Sequence, residues 1–412
     1  VSGAATPAGE ELLLYAERAL TPSGELAPLW LRIRGEQILE TGTSLNGPRS
    51  PGRSPDITFH EGVVSPGFID LHCHGGGGAS FEEGLSGARA VLASHSSHGT
   101  TTQLASLVSA DLEHQLALAA ELEPLIAAGE LAGVHLEGPW ISPAQHGAHD
   151  RHALADPSAT AISQLLTHPA ARLIHSVTLA PELSGAQTAI TALRGAGVVV
   201  GLGHTAASYE QTREALAAGA TVGTHVFNAM RGIGHRDPGP IPALLEDPSV
   251  FLELIADGVH LHPAMLRLAW NAAAGPSAQQ DRPGQPGRIV LVSDAMAAAV
   301  AQDGEYDLGT LRVRVADGVA RVISTGAIAG STLTLSAAVR YCIQRAGITP
   351  QQALAAATAA PAAMAGFTDR GVLQAGHRAD LVVLDSDWQV DAVMRAGAWL
   401  KAAREWNLDR PG

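Results

Sequence analysis

"SPGFIDLHCHGGGG", residues 65–78, sets an apolar run against two histidines one residue apart and then four glycines. Side chains alternate across a strand, so in the strand this run predicts at 67–74, His72 and His74 face one way and Cys73 the other. The two imidazoles can share one metal ion, and Cys73 reads as packing. A single His-x-His pair says little alone. Its meaning depends on what stands at the ends of the other apolar runs.

Seven such runs follow: 100–108 "TTTQLASLV", 132–137 "AGVHLE", 172–179 "RLIHSVTL", 197–204 "GVVVGLGH", 221–227 "TVGTHVF", 251–257 "FLELIAD" and 288–294 "RIVLVSD". Ala/Leu-rich stretches of helical character separate them, among them 111–129 and 208–220, with Asp111 and Ser208 placed as N-caps. Eight strands joined by helical crossovers predict an α/β fold, a (β/α)8 TIM-type barrel. Short strands punctuated by Gly and Asp at 11–40 and 371–395 predict a small β-sandwich-like domain built from both termini. The expected division is 1–62 and 367–412 for that domain and 63–366 for the barrel, with "GPRSPGRSPD" (47–56) an exposed loop.

The 412 residues are 46% hydrophobic, 16% charged and 4% aromatic, without an apolar stretch long enough to span a bilayer or a signal-type leader. Two cysteines, Cys73 and Cys342, make no disulfide framework. The expectation is a soluble protein of the cytoplasm. A formal charge of −14 argues against a sequence-independent grip on nucleic acid or an anionic membrane, so an anionic substrate must be held by a few local donors.

A barrel carries its chemistry at the C-terminal ends of its strands. Run 1 ends in His72 and His74, run 3 in Glu137, run 5 in His204, run 6 in His225 and run 8 in Asp294. Each histidine alone would more often be a hydrogen-bonded core residue, but six such groups at matching strand ends specify a metal site. Imidazole and carboxylate ligands suit Zn2+ or another divalent first-row ion, and three protein ligands with an open position make a hydrolytic centre. The glycines at 75–78 lack the Gly-Lys-Ser/Thr ending of a phosphate-cradling loop; they shape a tight turn or admit close backbone approach.

"SPGFIDLHCHG", the strand-end histidines and aspartate, and "AGHRADLVVLD" near the C-terminus together resemble the metal-dependent amidohydrolase superfamily. Many of its members bridge two metals with a carboxylated barrel lysine. The one lysine here is Lys401, outside the barrel, which leaves Glu137 for that role. Within the superfamily, "HLEGPWISPAQHGAHD" (135–150), "GLGHT" (201–205), "THVFNAMRGIGHRDPG" (224–239), "ADGVHL" (256–261), "LVSDAMAAA" (291–299) and "GAIAGSTLTL" (326–335) are similar, in order, to the motifs of the N-acetylglucosamine-6-phosphate deacetylase family. "GAIAGS" departs from the commoner "GTLAGS" by an apolar change.

The resemblance implies hydrolysis of N-acetyl-D-glucosamine 6-phosphate to D-glucosamine 6-phosphate and acetate, in amino-sugar catabolism and recycling. It implies Glu137, His204 and His225 as principal metal ligands, with His72 and His74 favouring a second position. Asp294 would be general base and acid, and a further ligand. Zn2+ is the expected ion, with Fe2+ the alternative, at one or two per subunit. Substrate contacts carried over are Ala148, His149, Asn228, Ala229, Arg236, Asp257, Gly258, Val259, His260, Ile328, Ala329 and Gly330. Arg236 would reach the sugar phosphate from the neighbouring subunit, which requires a homodimer. The competing expectations are another amidohydrolase, such as a D-aminoacylase or an adenine-deaminase-like enzyme, and a catalytically silent fold used for assembly.

Overall fold

In the computed structural model, which describes residues 11–44, 55–274 and 287–401, each of the eight apolar runs forms a parallel strand. They are β1 (Phe68–Asp70), β2 (two segments, Thr100–Gln103 and Ala105–Leu107), β3 (Val134–Glu137), β4 (Ile174–Leu179), β5 (Val199–Leu202), β6 (Val222–Gly223), β7 (Phe251–Leu254) and β8 (Ile289–Leu291). β1 pairs with the first segment of β2, and the sheet then runs unbroken from the second segment to β8. The ring closes at the strand ends. Asp294 N–H donates to the His72 carbonyl at 2.8 Å, and the N–H groups of His74 and Gly75 donate to the Ala295 carbonyl at 2.8 and 2.9 Å. Asp70 Oδ1 reinforces the join, accepting from the backbone N–H of His72 and of Ser293.

Helices cover the barrel because their apolar stripes have nowhere else to bury. Asp111 and Ser208 cap two of them as read from the sequence: Asp111 accepts from Glu113 N–H, and Ser208 forms a reciprocal capping box with Gln211. The stretch read as one helix at 111–129 is two, Leu112–Glu121 and Glu123–Ala127. Pro124 lacks an N–H to continue the first helix and sits in the opening turn of the second.

Chain segments from both ends build two further sheets. One has the order Gln37–Gly42, Leu29–Arg34, Glu11–Ala16, Ile57–Phe59; the other runs Ala398–Lys401, Val390–Arg395, Leu381–Leu384, Val63–Pro66, Ala19–Thr21, Gly24–Leu26. Leu14, Leu31 and Ile33 from the first pack with Val64, Leu381 and Met394 from the second in one apolar cluster. Gly67 links Val63–Pro66 to β1; a Cβ there would stand 2.2 Å from Thr101 Oγ1. Lys401 donates from Nζ to the Val390 carbonyl in this region, away from the barrel mouth. Of the loop expected at 47–56, residues 47–54 lie outside the described residues.

A three-stranded antiparallel sheet, Gly304–Leu308, Leu311–Ala316 and Val319–Val322, follows β8 and was not anticipated. Its buried Leu308, Val313, Val315 and Val322 pack on Met296, Ala297 and Ala329 beside the C-terminal end of the barrel.

Candidate metal centre and active site

Glu137, at the end of β3, is the hub of the strand-end residues. Its Oε1 lies 3.3, 3.2 and 3.1 Å from Nε2 of His72, His204 and His225, and its Oε2 lies 3.1 and 3.3 Å from Nε2 of His74 and His149. Two ligand groups result, His72/His74/Glu137 and Glu137/His204/His225, all buried and sharing the one carboxylate. Within each, imidazole nitrogens face one another: His72 and His74 Nε2 are 3.2 Å apart, His204 and His225 Nε2 are 3.1 Å apart. Nitrogens bound at 2.0–2.1 Å to one ion with near-tetrahedral angles would stand roughly 3.1–3.4 Å apart, so the spacing fits a shared divalent cation in each group.

Outer partners orient the rings. The Nδ1–H groups of His74 and His204 donate to the carbonyls of Ser106 and Gln145 at 3.1 and 2.9 Å, and that of His72 donates to Glu253 Oε2 at 3.2 Å. With the proton on Nδ1, the Nε2 lone pair is left facing the centre. The backbone makes a matching adjustment: His204, His225 and Asp294 take positive φ values of 47°, 30° and 47°. That conformation costs a non-glycine residue of the order of 1–3 kcal/mol. It turns the chain sharply at the strand end.

Electrostatics couples these groups. Burial by itself would depress His72, but Glu137 and Asp294 outweigh it and hold the imidazolium well above the ordinary histidine range. Burial is likewise overridden at His74, which Asp294 and Glu137 raise to about 10. Burial would raise Glu137 and Asp294, yet His72, with His149 at the first and His74 at the second, holds both carboxyls below their usual range. Protons on the imidazoles thus balance the carboxylates, a balance that a divalent cation would supply instead.

Asp294 Oδ1 stands 3.5 and 3.3 Å from Nε2 of His72 and His74 and opens on a cavity of about 350 Å³. Of the contacts carried over from sequence, Ala148, His149, Asn228, Ala229, His260, Ile328 and Gly330 line that cavity. Ala329 is buried beneath the wall, and Asp257 works through His260, accepting from its Nδ1–H at 2.6 Å and from the backbone N–H groups of Val259 and His260 at 2.8 Å. Gly258 and Val259 belong to that turn and do not line the cavity. Arg236 also lies outside it, exposed on the loop after β6.

Two further histidines are shifted in opposite directions. His149 Nδ1 accepts from Ser109 N–H at 3.2 Å, so in the neutral ring Nε2 carries the proton. Burial and His204 push its pKa down to about 4, which keeps it neutral. Burial disfavours the His260 cation, but Asp257 and then Asp294 prevail and raise its pKa. His260 is therefore a cavity-wall histidine beyond the metal site whose protonated form its neighbours favour. Among the described residues no arginine or lysine lines the cavity.

Sequence reading missed Glu253, His135, and the wall contributed by Val108, Leu308 and the segment Ala144–Gly147. His135 could have been found, since it stands two residues before Glu137 as His72 stands before His74. It bonds Ser106 Oγ and Thr178 Oγ1, both at 2.9 Å, beneath the centre. Gly75–Gly76 and Ala79–Ser80 form a small hairpin, so the glycine run shapes a turn. A Cβ on Gly75 would meet Ala297 N at 2.7 Å.

The model of the amidohydrolase family matches residues 63–400. A solved structure of an N-acetyl-D-glucosamine-6-phosphate deacetylase from Mycobacterium smegmatis, an aspartate-to-alanine mutant in complex with N-acetyl-D-glucosamine-6-phosphate, superposes with a TM-score of 0.87 at 42% identity, over 96% of this chain and 100% of that one. The human N-acetylglucosamine-6-phosphate deacetylase is 34% identical over 95% of this chain and 96% of its own length. An N-acetylgalactosamine-6-phosphate deacetylase from Escherichia coli O157:H7 is 37% identical over 81% of this chain and 87% of its own.

Proposed function

The chain belongs to the amidohydrolase family, and from that premise we propose that it hydrolyses N-acetyl-D-glucosamine 6-phosphate to D-glucosamine 6-phosphate and acetate. The observation that carries the reading is the pair of histidine groups sharing Glu137, with Asp294 beside them at the floor of a sugar-sized cavity. His204, His225 and Glu137 would hold one divalent ion, His72, His74 and Glu137 a second. Zn2+ suits this nitrogen and carboxylate set, with Fe2+ the alternative. When bound, the metal supplies acidification of water and polarisation of the amide carbonyl.

The side chains do the rest. Asp294 Oδ1 takes a proton from the attacking water and returns it to the departing amine nitrogen, so one water and one amide become a carboxylic acid and an amine, which settle in solution as carboxylate and ammonium. His149, neutral with its proton on Nε2, donates a hydrogen bond to the substrate's acyl region. His260, fixed by Asp257, offers a cation to the phosphate or a sugar hydroxyl, with Asn228 and the backbone around Ala148, Ala229 and Ile328–Gly330 lining the sugar. A phosphate needs more than one imidazolium, and Arg236 fits that need if it is delivered by a second copy of the chain, as a homodimer would do. Bidentate arginine suits a phosphate.

We assign the barrel to residues 63–366 and the small β unit to 1–62 with 367–412, with Val63–Pro66, a strand of the second terminal sheet, lying across that boundary. The metabolic setting that follows is amino-sugar catabolism and recycling in the cytoplasm. Among the described residues no helix is long and apolar enough to cross a membrane.

The similarity to a galactosamine-phosphate enzyme supports a second reading, the C4 epimer as substrate. Acetate release from the gluco- and galacto-configured N-acetyl sugar phosphates and from unphosphorylated N-acetylglucosamine decides among them. Fast, chelator-sensitive and phosphate-dependent turnover of the gluco substrate is expected. Faster turnover of its epimer would reassign the substrate, and turnover of none would send the search to other amides.

A further inference from the structure

β7 carries one acidic residue in an apolar run. Leu252 and Leu254 are fully buried in the barrel's apolar core, while Glu253 alternates to the other face, where it is 3% exposed. Its Oε2 accepts two hydrogen bonds, from His72 Nδ1–H at 3.2 Å and from the backbone N–H of His225 at 3.3 Å. The two donors belong to different halves of the centre, and the halves otherwise meet at Glu137.

We propose that Glu253 is a positioning residue that sets both halves of the metal centre through a single carboxylate oxygen. The inference rests on the metal-dependent reading above. At His72 the carboxylate fixes the proton on Nδ1 and leaves Nε2 free to ligate. At His225 its action is on the backbone. The His74 and His204 rings are each held by a carbonyl, but His225 Nδ1 is buried with no hydrogen-bond partner. What aims that ring is therefore the placement of its main chain, held at φ 30° by Glu253 Oε2 on His225 N–H and by the Glu253 carbonyl on Val226 N–H at 2.8 Å.

Zinc binding to the metal-stripped full chain tests this, by calorimetry and elemental analysis, for the wild type, Glu253→Gln and Glu253→Ala. Loss of such an outer partner typically weakens metal binding about 10–100-fold. Glu253→Ala is expected to show that loss in both zinc equivalents. Glu253→Gln keeps the size and one acceptor oxygen, so a smaller loss of several-fold is expected. The visible band of the cobalt-loaded protein should shift in both variants, since it follows ligand geometry and not overall stability. If Glu253→Ala does not fold, Glu253→Gln decides. Zinc affinity within about two-fold of wild type in Glu253→Gln with an unshifted cobalt band, or a loss confined to one equivalent in either variant, overturns the proposal. A wild-type chain that takes up no zinc or cobalt would instead sink the metal reading beneath it.

Discussion

Replacing Arg236 with alanine tests how an acidic protein grips a sugar phosphate. The chain has a formal charge of −14, and no arginine or lysine of the described residues lines the cavity that holds Glu137 and Asp294. Beyond the metal centre the described wall offers a phosphate imidazoles, chiefly His260 with its raised pKa, and no guanidinium or ammonium. Arg236 is exposed and has no hydrogen bond or ion pair among the described residues, whereas Arg231 on the same loop is tied to Asp237. A lost hydrogen bond to a charged partner removes about 1.5–3 kcal/mol. Arg236→Ala should therefore lower kcat/KM for the phosphorylated sugar about 10- to 150-fold and leave the unphosphorylated sugar unchanged. If Arg236 acts across a two-fold dimer, mixing Arg236→Ala with Asp294→Asn subunits restores activity. Random pairing makes half the dimers hybrids with one competent site of two, about a quarter of the wild-type sites. A loss below ten-fold, or an equal loss on both sugars, would refute the phosphate role. Mixtures that stay inactive after subunit exchange would refute delivery from the partner.

Three further outcomes are expected. Glu137→Ala should abolish metal content and turnover together, whereas His72→Gln/His74→Asn should reduce metal content and leave some turnover; equal losses by elemental analysis would make the first-strand pair the primary ligands. Asp294→Asn should lower kcat by about 10²–10⁴-fold with metal retained, and loss of metal instead would make Asp294 chiefly a ligand. Protons held on His72 and His74 must leave before Nε2 can ligate, so zinc affinity should rise with pH, and at His74, raised to about 10, competition should persist above neutrality. Calorimetry in buffers of different ionisation enthalpy would count the released protons, and an affinity flat from about pH 6 to 9 would contradict the coupling.

The barrel was legible because a strand buried on both faces must be apolar along its length, and a polar group ending such a run stands out. His204, His225 and Asp294 were visible for that reason. Glu253 was not, because it interrupts a run instead of ending it, and a lone acid in a strand has no partner readable from sequence. The sheet at 304–322 did carry its signal, the alternation of "LRVRVADGVARV" around Asp317-Gly318, but its place beside the cavity depends on packing against Met296 and Ala329. Gln145, whose carbonyl orients His204, reaches the centre through loop shape alone.

β8 and β1 share no extended ladder among the described residues; backbone bonds among His72, His74, Gly75, Asp294 and Ala295 make the join. The cylinder is therefore clasped at the end where its chemistry lies. Whatever gathers the imidazoles from strands 1, 5 and 6 around Glu137 also pulls the clasp shut, so closure of the fold and competence of the site form one linked equilibrium. Occupancy would then be written in the exchange rates of the Asp294, His74 and Gly75 amides, which slow on loading while the ladder between β4 and β5 keeps its own pace.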